Sequence, residues 1–214
     1  MHADLSNIGV VEYPLNDMWV DADGRCYVGE FGVDIHAWIN ENFPRVAIEG
    51  IGVLGKIGVP EGSVFVIERD GRVRQAVQGF RFPNGSIVSR DGTKFIVAET
   101  LGLRLSSFDL TKGHLSRREM WDLGFTPDGM SEADCDGCVW VADPLGGAVH
   151  RVAPGGRTVE VIENERRVYA CALGGSDGKT LFLCTSSTGE PHKTVELRDS
   201  RLEVARVRVG LASA

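Results

Sequence analysis

Short hydrophobic runs recur along the chain, and glycine or proline stands between them throughout. Representative runs occupy residues 64–67, 95–98, 139–142 and 181–184. Runs of this length, bounded by residues that break regular structure, are typical of β-strands. With 27 glycines and eight prolines, almost no segment is expected to carry a long helix, so the pattern predicts an all-β fold.

An Asp-Gly pair precedes four of the predicted strands. The pairs begin at Asp23, Asp91, Asp136 and Asp177. Asp-Gly favours a type I′ hairpin turn, because both residues tolerate positive φ. The last three pairs lie roughly 40 to 45 residues apart, which is the length of a four-stranded propeller blade. The first interval is longer by about 25 residues, and segment 34–61 is the predicted site of this insertion.

Repeated antiparallel meanders of this length predict a β-propeller, because radial closure leaves only short sheet edges exposed. A β-sandwich is the alternative architecture. Sandwiches, however, do not repeat one turn and strand unit at a nearly constant interval. We therefore expect residues 1–214 to form a single partial β-propeller domain.

A polar residue stands seven or eight positions before three of the Asp-Gly pairs. These residues are Asn16, Asn84 and Asp128. In a propeller blade this offset lies where the chain enters the innermost strand, so the side chains are expected to converge on the central channel. Amide and carboxylate oxygens suit a hard divalent cation such as Ca²⁺, Mg²⁺ or Mn²⁺. The alternative is a structural role, since Pro-Asn-Gly and Pro-Asp-Gly are also ordinary turn tripeptides.

The composition narrows the classes of function. The chain has 30 acidic and 23 basic residues and a formal charge of −7, which argues against nucleic acid or anionic lipid as a partner. It shows no signal peptide, and no apolar run approaches the ~20 residues that span a bilayer. Five cysteines without a regular framework suit reduced thiols. We expect a cytoplasmic protein with a small-molecule partner.

Four segments resemble successive signatures of the SMP-30/gluconolactonase/luciferin-regenerating (LRE-like) family. They read NDMWVDADGRCYVGEFG, FPNGSIVSRDGTKFIVAET, TPDGMSEADCDGCVWVA and CALGGSDGKTLFLCTS. The resemblance implies a six-bladed propeller that binds one divalent cation and hydrolyses sugar-acid lactones and related esters. Ca²⁺ is the expected cation, with Zn²⁺, Mg²⁺ or Mn²⁺ as alternatives.

The resemblance also implies roles for individual residues. Asn84 corresponds to a metal ligand, and Asp128 corresponds to a ligand that also acts as general base on metal-bound water. Asn16 and Asp34 correspond to substrate contacts, with Glu30 as a weaker match for the acidic position. An arginine that often precedes the Asn-Asp pair in this family is replaced by Pro14, which leaves the sugar specificity open.

The family's first blade carries a third metal ligand, a glutamate in a Glu-Gly-Pro-x-Trp phrase that this sequence lacks. Six blades need about 270 residues, so this 214-residue chain is expected to contain four to five blades and to lack the first. Open blade edges favour self-association. The missing ligand is expected to weaken metal binding and activity. A non-catalytic binding scaffold and a related ester or organophosphate hydrolase are the alternative functions, because fold does not determine function.

Overall fold

The computed structural model describes residues 4–5 and 13–211. In these ranges the chain forms fourteen β-strands in four antiparallel sheets, together with two α-helices. The all-β prediction and the partial propeller are confirmed, and the four sheets correspond to four blades. No helix within the described ranges is both long enough and apolar enough to span a bilayer.

The first two blades each have four strands in sequential order. Blade 1 contains β1 (Leu15–Val20), β2 (Cys26–Glu30), β3 (Gly62–Ile67) and β4 (Val73–Phe80). Blade 2 contains β5 (Pro83–Val88), β6 (Lys94–Glu99), β7 (Arg104–Thr111) and β8 (His114–Asp122). Every neighbouring pair is antiparallel, which is the predicted meander.

The last two sheets have three strands each. Blade 3 contains β9 (Val139–Asp143), β10 (Ala148–Val152) and β11 (Thr158–Glu163), and the bridge between Met130 and Val141 adds a short innermost segment. Blade 4 contains β12 (Arg167–Gly174), β13 (Thr180–Ser186) and β14 (Arg201–Arg206), with the helix α2 (Pro191–Leu197) between β13 and β14. The five cysteines all lie in the described ranges and are free thiols.

The insertion between β2 and β3 contradicts the expectation that no long helix would form. The helix α1 (Ile35–Glu49) has 15 residues, contains Pro44, and is followed by a 3₁₀ helix at Ile51–Gly55. Both helices lie within the predicted insertion at 34–61. They form because Trp38 and Leu54 are buried in one apolar cluster with Leu101 of blade 2, so tertiary packing overrides the local breakers.

The hairpins lie where the Asp-Gly pairs predicted them, but the predicted turn type is wrong. Gly24, Gly92, Gly137 and Gly178 have φ between 67° and 81°, whereas none of the preceding aspartates, all within the described ranges, has positive φ. In the first hairpin, the Gly24 N–H donates to the Asp21 carbonyl at 3.0 Å. This geometry is a type I turn followed by a left-handed glycine, because the loops are longer than two residues.

The hydrophobic cores lie between adjacent blades. In blade 1, β3 is buried along its whole length instead of alternating, because Val64 and Val66 pack against blade 2 while Ile67 packs in a separate cluster with Val28 and Leu5. Between blades 1 and 2, the rings of Tyr27 and Phe95 stack with centroids 5.0 Å apart. Trp121 packs with Val139 between blades 2 and 3, and Val168 packs with Trp140 between blades 3 and 4.

A buried ion-pair network joins blades 1 and 2. Glu99 is fully buried at the end of β6, and its carboxylate pairs with Arg104 at 2.8 Å and with Arg118 at 2.7 Å. Arg118 also donates to the carbonyl of Gly79 in blade 1 at 3.0 Å. Burial opposes ionisation of Glu99, but hydrogen bonds from Arg104 and its neighbours hold its pKa below the usual range. The network therefore fixes the end of β6 against blade 1.

One face of blade 4 has no neighbouring blade among the described residues. We call this the open face, and it consists of Phe182 and Cys184 on β13 with their cross-strand partners Val204 and Leu202 on β14. The side chains of Leu202 and Val204 are 67% and 63% exposed. Exposed apolar faces are a common feature of protein interaction sites.

Candidate functional site

The innermost strands of blades 1 and 2 are irregular at the same place. The pairing register shifts at Asn16 and Asp17 in β1 and at Asn84 and Gly85 in β5. Such bulges change the direction in which a side chain points and are common beside functional sites. The two predicted amides therefore occupy equivalent positions in successive blades.

Asp128 occupies the corresponding position in blade 3. Its N–H donates to the Ala142 carbonyl of β9 at 3.0 Å. The next residue, Gly129, donates its N–H to the Tyr169 carbonyl of β12, also at 3.0 Å. Tyr169 stands eight positions before Asp177, so blade 4 repeats the offset, but it contributes its main chain here.

The three predicted residues form one hydrogen-bonded group. The Asn16 Nδ2 donates to the Asn84 Oδ1 at 3.0 Å and to the Pro83 carbonyl at 3.3 Å. The amide of Asn84 also hydrogen-bonds the carboxylate of Asp128. Three residues that are far apart in sequence are thus neighbours at the innermost strands, as the repeat offset predicted.

Asp128 is a carboxylic acid with a pKa near neutrality. Burial, together with the negative charge of Asp17, raises its pKa to about 7. Hydrogen bonds from the Asn84 amide and the Gly129 N–H act in the opposite direction but are weaker. Burial also raises the pKa of Asp17. Strongly perturbed acids of this kind are concentrated at functional sites.

A cavity of about 290 Å³ lies among the innermost strands of all four blades. It is lined by Asp17, Met18, Trp19, Gly85, Ser86, Gly129, Met130 and Ala170. This cavity is the central channel, and Asp17 is the one acidic residue among those that line it.

Two of the channel glycines are required for the close approach of the strands. A Cβ on Gly85 would lie 2.7 Å from the Asp128 carbonyl oxygen, and a Cβ on Gly129 would lie 2.8 Å from the Ala170 Cα. Both distances are too short for a side chain. Glycine at these positions therefore lets the backbones of blades 2, 3 and 4 touch next to the predicted ligands.

The structure places Asp34 and Glu30 differently from the other candidates. Asp34 is the N-cap of α1, where its Oδ1 accepts a hydrogen bond from the Ala37 N–H at 3.1 Å. Glu30 is the last residue of β2 and is only 3% exposed. Asn16, Asn84 and Asp128 each directly precede a residue that lines the channel cavity, whereas Asp34 and Glu30 do not. The substrate contact of Asp34 stays a prediction.

Within the described ranges, no group of three or more His, Cys, Asp and Glu side chains could hold a metal ion. The oxygen donors at the channel are mixed instead, with amides from Asn16 and Asn84 and carboxylates from Asp17 and Asp128. A divalent cation would offset the two carboxylate charges that now repel each other. Oxygen donors completed by water suit Ca²⁺ or Mg²⁺, so this residue set fits a hard cation.

Residues 4–187 match the SMP-30/gluconolactonase/LRE-like region. The chain belongs to this family. No curated protein sequence matches the chain. The match over residues 4–187 confirms the family resemblance inferred from the four sequence segments.

Solved structures of family proteins have the same fold. A luciferin-regenerating enzyme is 17% identical with a TM-score of 0.72, and the alignment covers 98% of this chain and 66% of that one. The calcium-binding protein regucalcin from Agrobacterium tumefaciens strain C58 is 19% identical (TM-score 0.70; 99% and 67% covered). A gluconolactonase from Xanthomonas campestris is 19% identical (TM-score 0.60; 83% and 58% covered). The chain thus spans about two thirds or less of these proteins.

Sequence reasoning missed two residues of the site. Asp17 directly follows Asn16, and the Asn-Asp pair was the available signal for it. Thr100 accepts a hydrogen bond from the Asn84 Nδ2 at 3.0 Å and had no signal, because it follows a strand that is not innermost.

Proposed function

We propose that this protein is a gluconolactonase-like hydrolase that uses one divalent cation to open sugar-acid lactones. The observation that carries the proposal is the hydrogen-bonded group of Asn16, Asn84 and Asp128 beside the channel, with the pKa of Asp128 raised to about 7. Family membership and the gluconolactonase and regucalcin folds support a lactonase-like function.

Asn84 and Asp128 are the residues that would hold the cation, through the amide Oδ1 and the carboxylate. When bound, a divalent cation supplies a Lewis acid that polarises the lactone carbonyl and stabilises the developing negative charge. Ca²⁺ is the favoured ion, because the donors are oxygens; Mg²⁺, Mn²⁺ and Zn²⁺ are the alternatives to test.

Asp128 acts as the general base. Its carboxylate takes a proton from the attacking water as the water oxygen bonds to the lactone carbonyl carbon. The ring C–O bond then breaks, and the proton passes to the ring oxygen that leaves, which yields the hydroxy acid. The pKa of about 7 is that of the metal-free chain, and a bound cation would lower it, so Asp128 would be ionised and able to accept this proton near neutral pH.

Asn16 orients the substrate. Both of its amide hydrogens are committed, one to the Asn84 Oδ1 and one to the Pro83 carbonyl. Its Oδ1 therefore remains as an acceptor for a hydroxyl group of a sugar-acid lactone.

The test is lactone hydrolysis by the 214-residue chain after chelation and after addition of Ca²⁺, Mg²⁺, Mn²⁺ or Zn²⁺. Asp128→Ala is expected to abolish metal-dependent turnover, and Asn16→Ala to lose turnover while keeping metal binding. Asp91→Ala is the matched control, because Asp91 is an exposed hairpin residue of blade 2. Turnover that survives chelation, or that survives Asp128→Ala, would contradict the proposal.

A non-catalytic binding scaffold is the second candidate. It is favoured by the open face, where Leu202 and Val204 are exposed. Cation binding without turnover of any lactone, carboxylic ester or phosphotriester would support this candidate. Turnover of an ester or phosphotriester alone would instead assign a related hydrolase.

A further inference from the structure

We infer that Thr100 is a positioning residue that fixes the orientation of the Asn84 amide and so directs its Oδ1 oxygen toward a bound cation. This inference rests on the proposed function. It concerns a residue of blade 2 whose side chain bridges to blade 3.

The hydroxyl of Thr100 can act in only one way toward Asn84. Its single hydrogen is donated to the Pro127 carbonyl at 2.7 Å, and a carbonyl oxygen can only accept. Toward the Asn84 side chain, 3.0 Å away, Thr100 Oγ1 can therefore act only as an acceptor. Asn84 must present its Nδ2 to Thr100, because a flipped amide would place two acceptor oxygens against each other.

The opposite side of the amide is fixed in the same manner. The Pro83 carbonyl oxygen can only accept a hydrogen bond. The Asn16 side chain must therefore turn its Nδ2, and not its Oδ1, toward this carbonyl, which lies 3.3 Å away. The same nitrogen donates to the Asn84 Oδ1 at 3.0 Å. Two main-chain carbonyls, one at each end, thus determine the orientation of both amides.

The contact with Thr100 involves none of the oxygens that would bind a cation. The Asn84 amide also hydrogen-bonds the carboxylate of Asp128, but that carboxylate would itself be a ligand of the cation. The Asn84 Oδ1 has two lone pairs, and Asn16 uses one, so the second is available to the cation. Thr100 keeps the amide from exchanging the positions of its Nδ2 and Oδ1, an exchange that would put nitrogen where the oxygen donor now lies.

Thr100 is itself held in place by the fold. Its N–H donates to the Phe82 carbonyl at 3.1 Å, and it directly follows Glu99, which is locked in the buried ion-pair network. Pro127, which accepts the hydroxyl hydrogen, directly precedes Asp128. One side chain therefore sets both the orientation of Asn84 and the separation between the two predicted ligands.

The test compares Thr100→Val, which replaces the hydroxyl by a methyl group, with Thr100→Ser, which keeps the hydroxyl. The probe is Ca²⁺ alone, titrated calorimetrically into chelator-treated protein. Loss of one hydrogen bond is expected to weaken the Ca²⁺ affinity about five- to tenfold in Thr100→Val, and Thr100→Ser is expected to restore it to within about twofold. Thr185→Val is the matched control, because the Thr185 hydroxyl donates to Glu203 in blade 4 at 2.8 Å.

A second measurement needs no cation. The side-chain NH₂ group of Asn84, observed by NMR with ¹⁵N-asparagine labelling, is expected to be protected from solvent exchange in the wild type and in Thr100→Ser. It is expected to lose protection in Thr100→Val.

Equal protection in all variants, an unprotected Asn84 amide in the wild type, or an unchanged Ca²⁺ affinity in a folded Thr100→Val protein overturns the inference. Normal Ca²⁺ binding and amide protection without lactone turnover in the wild type would contradict the proposed function and leave the positioning role standing.

Discussion

Replacing Asp128 by asparagine is expected to change how the stability of the metal-free protein depends on pH. Burial raises the pKa of Asp128 from 3.8 to about 7 in the folded chain, whereas the unfolded chain has the ordinary value. Between these two values the folded state keeps a proton that the unfolded state has lost. The stabilisation is therefore complete below about pH 4 and is lost as the pH rises through about 7.

The size of the effect follows from the size of the shift. One pKa unit corresponds to about 1.4 kcal/mol, so the full shift corresponds to about 4 kcal/mol in the free energy of unfolding. About 3 kcal/mol of this falls between pH 5 and pH 8. The asparagine side chain of the variant does not titrate, so the variant lacks this contribution to the slope of the unfolding free energy against pH.

The assay is urea unfolding followed by tryptophan fluorescence at pH 5, 6, 7 and 8 with chelator present. The wild type is expected to lose stability relative to Asp128→Asn as the pH rises, and added Ca²⁺ is expected to restore the wild type above pH 7. Asp91→Asn is the control, because hydrogen bonds lower the pKa of Asp91 and it stays ionised over this range. If the free energy of unfolding changed with pH equally in the wild type and in Asp128→Asn, the raised pKa of Asp128 would be refuted.

Further expectations concern three other features. Glu99→Gln leaves two arginines without their buried partner and is expected to lower the free energy of unfolding by about 3–5 kcal/mol in urea titrations; a loss below about 1 kcal/mol would contradict this. Gly85→Ala is expected to weaken Ca²⁺ binding at least tenfold in calorimetric titrations, because the new Cβ would lie 2.7 Å from the Asp128 carbonyl oxygen. Gly52→Ala is the control, because a Cβ at Gly52 meets no atom within 4 Å. We also expect the protein to self-associate through the open face. The double variant Leu202→Lys, Val204→Lys is therefore expected to have a lower mass than the wild type in analytical ultracentrifugation. A monomeric wild type would contradict self-association.

The sequence alone determined the parts of this protein that repeat. The turn glycines recur because each hairpin needs a left-handed residue. Asn16, Asn84 and Asp128 stand seven or eight positions before their Asp-Gly pairs because they enter equivalent strands. Because the backbone repeats, the positions of these three site residues could be predicted from the sequence. The family signatures are short segments around these same positions, so the family could also be recognised from the sequence.

The tertiary structure decided what lies outside the repeat. The helix α1 forms despite its internal proline and flanking glycines, because Trp38 is buried against blade 2, a contact that no local pattern encodes. Thr100 reaches the site from a short 3₁₀ helix that follows β6, a strand that is not innermost, so only the packing of blades 2 and 3 brings it to Asn84. The pKa of Asp128 is likewise a property of burial and of a neighbouring charge. Sequence specifies which groups are present, and the packing of the blades decides how much solvent and which partners each one retains.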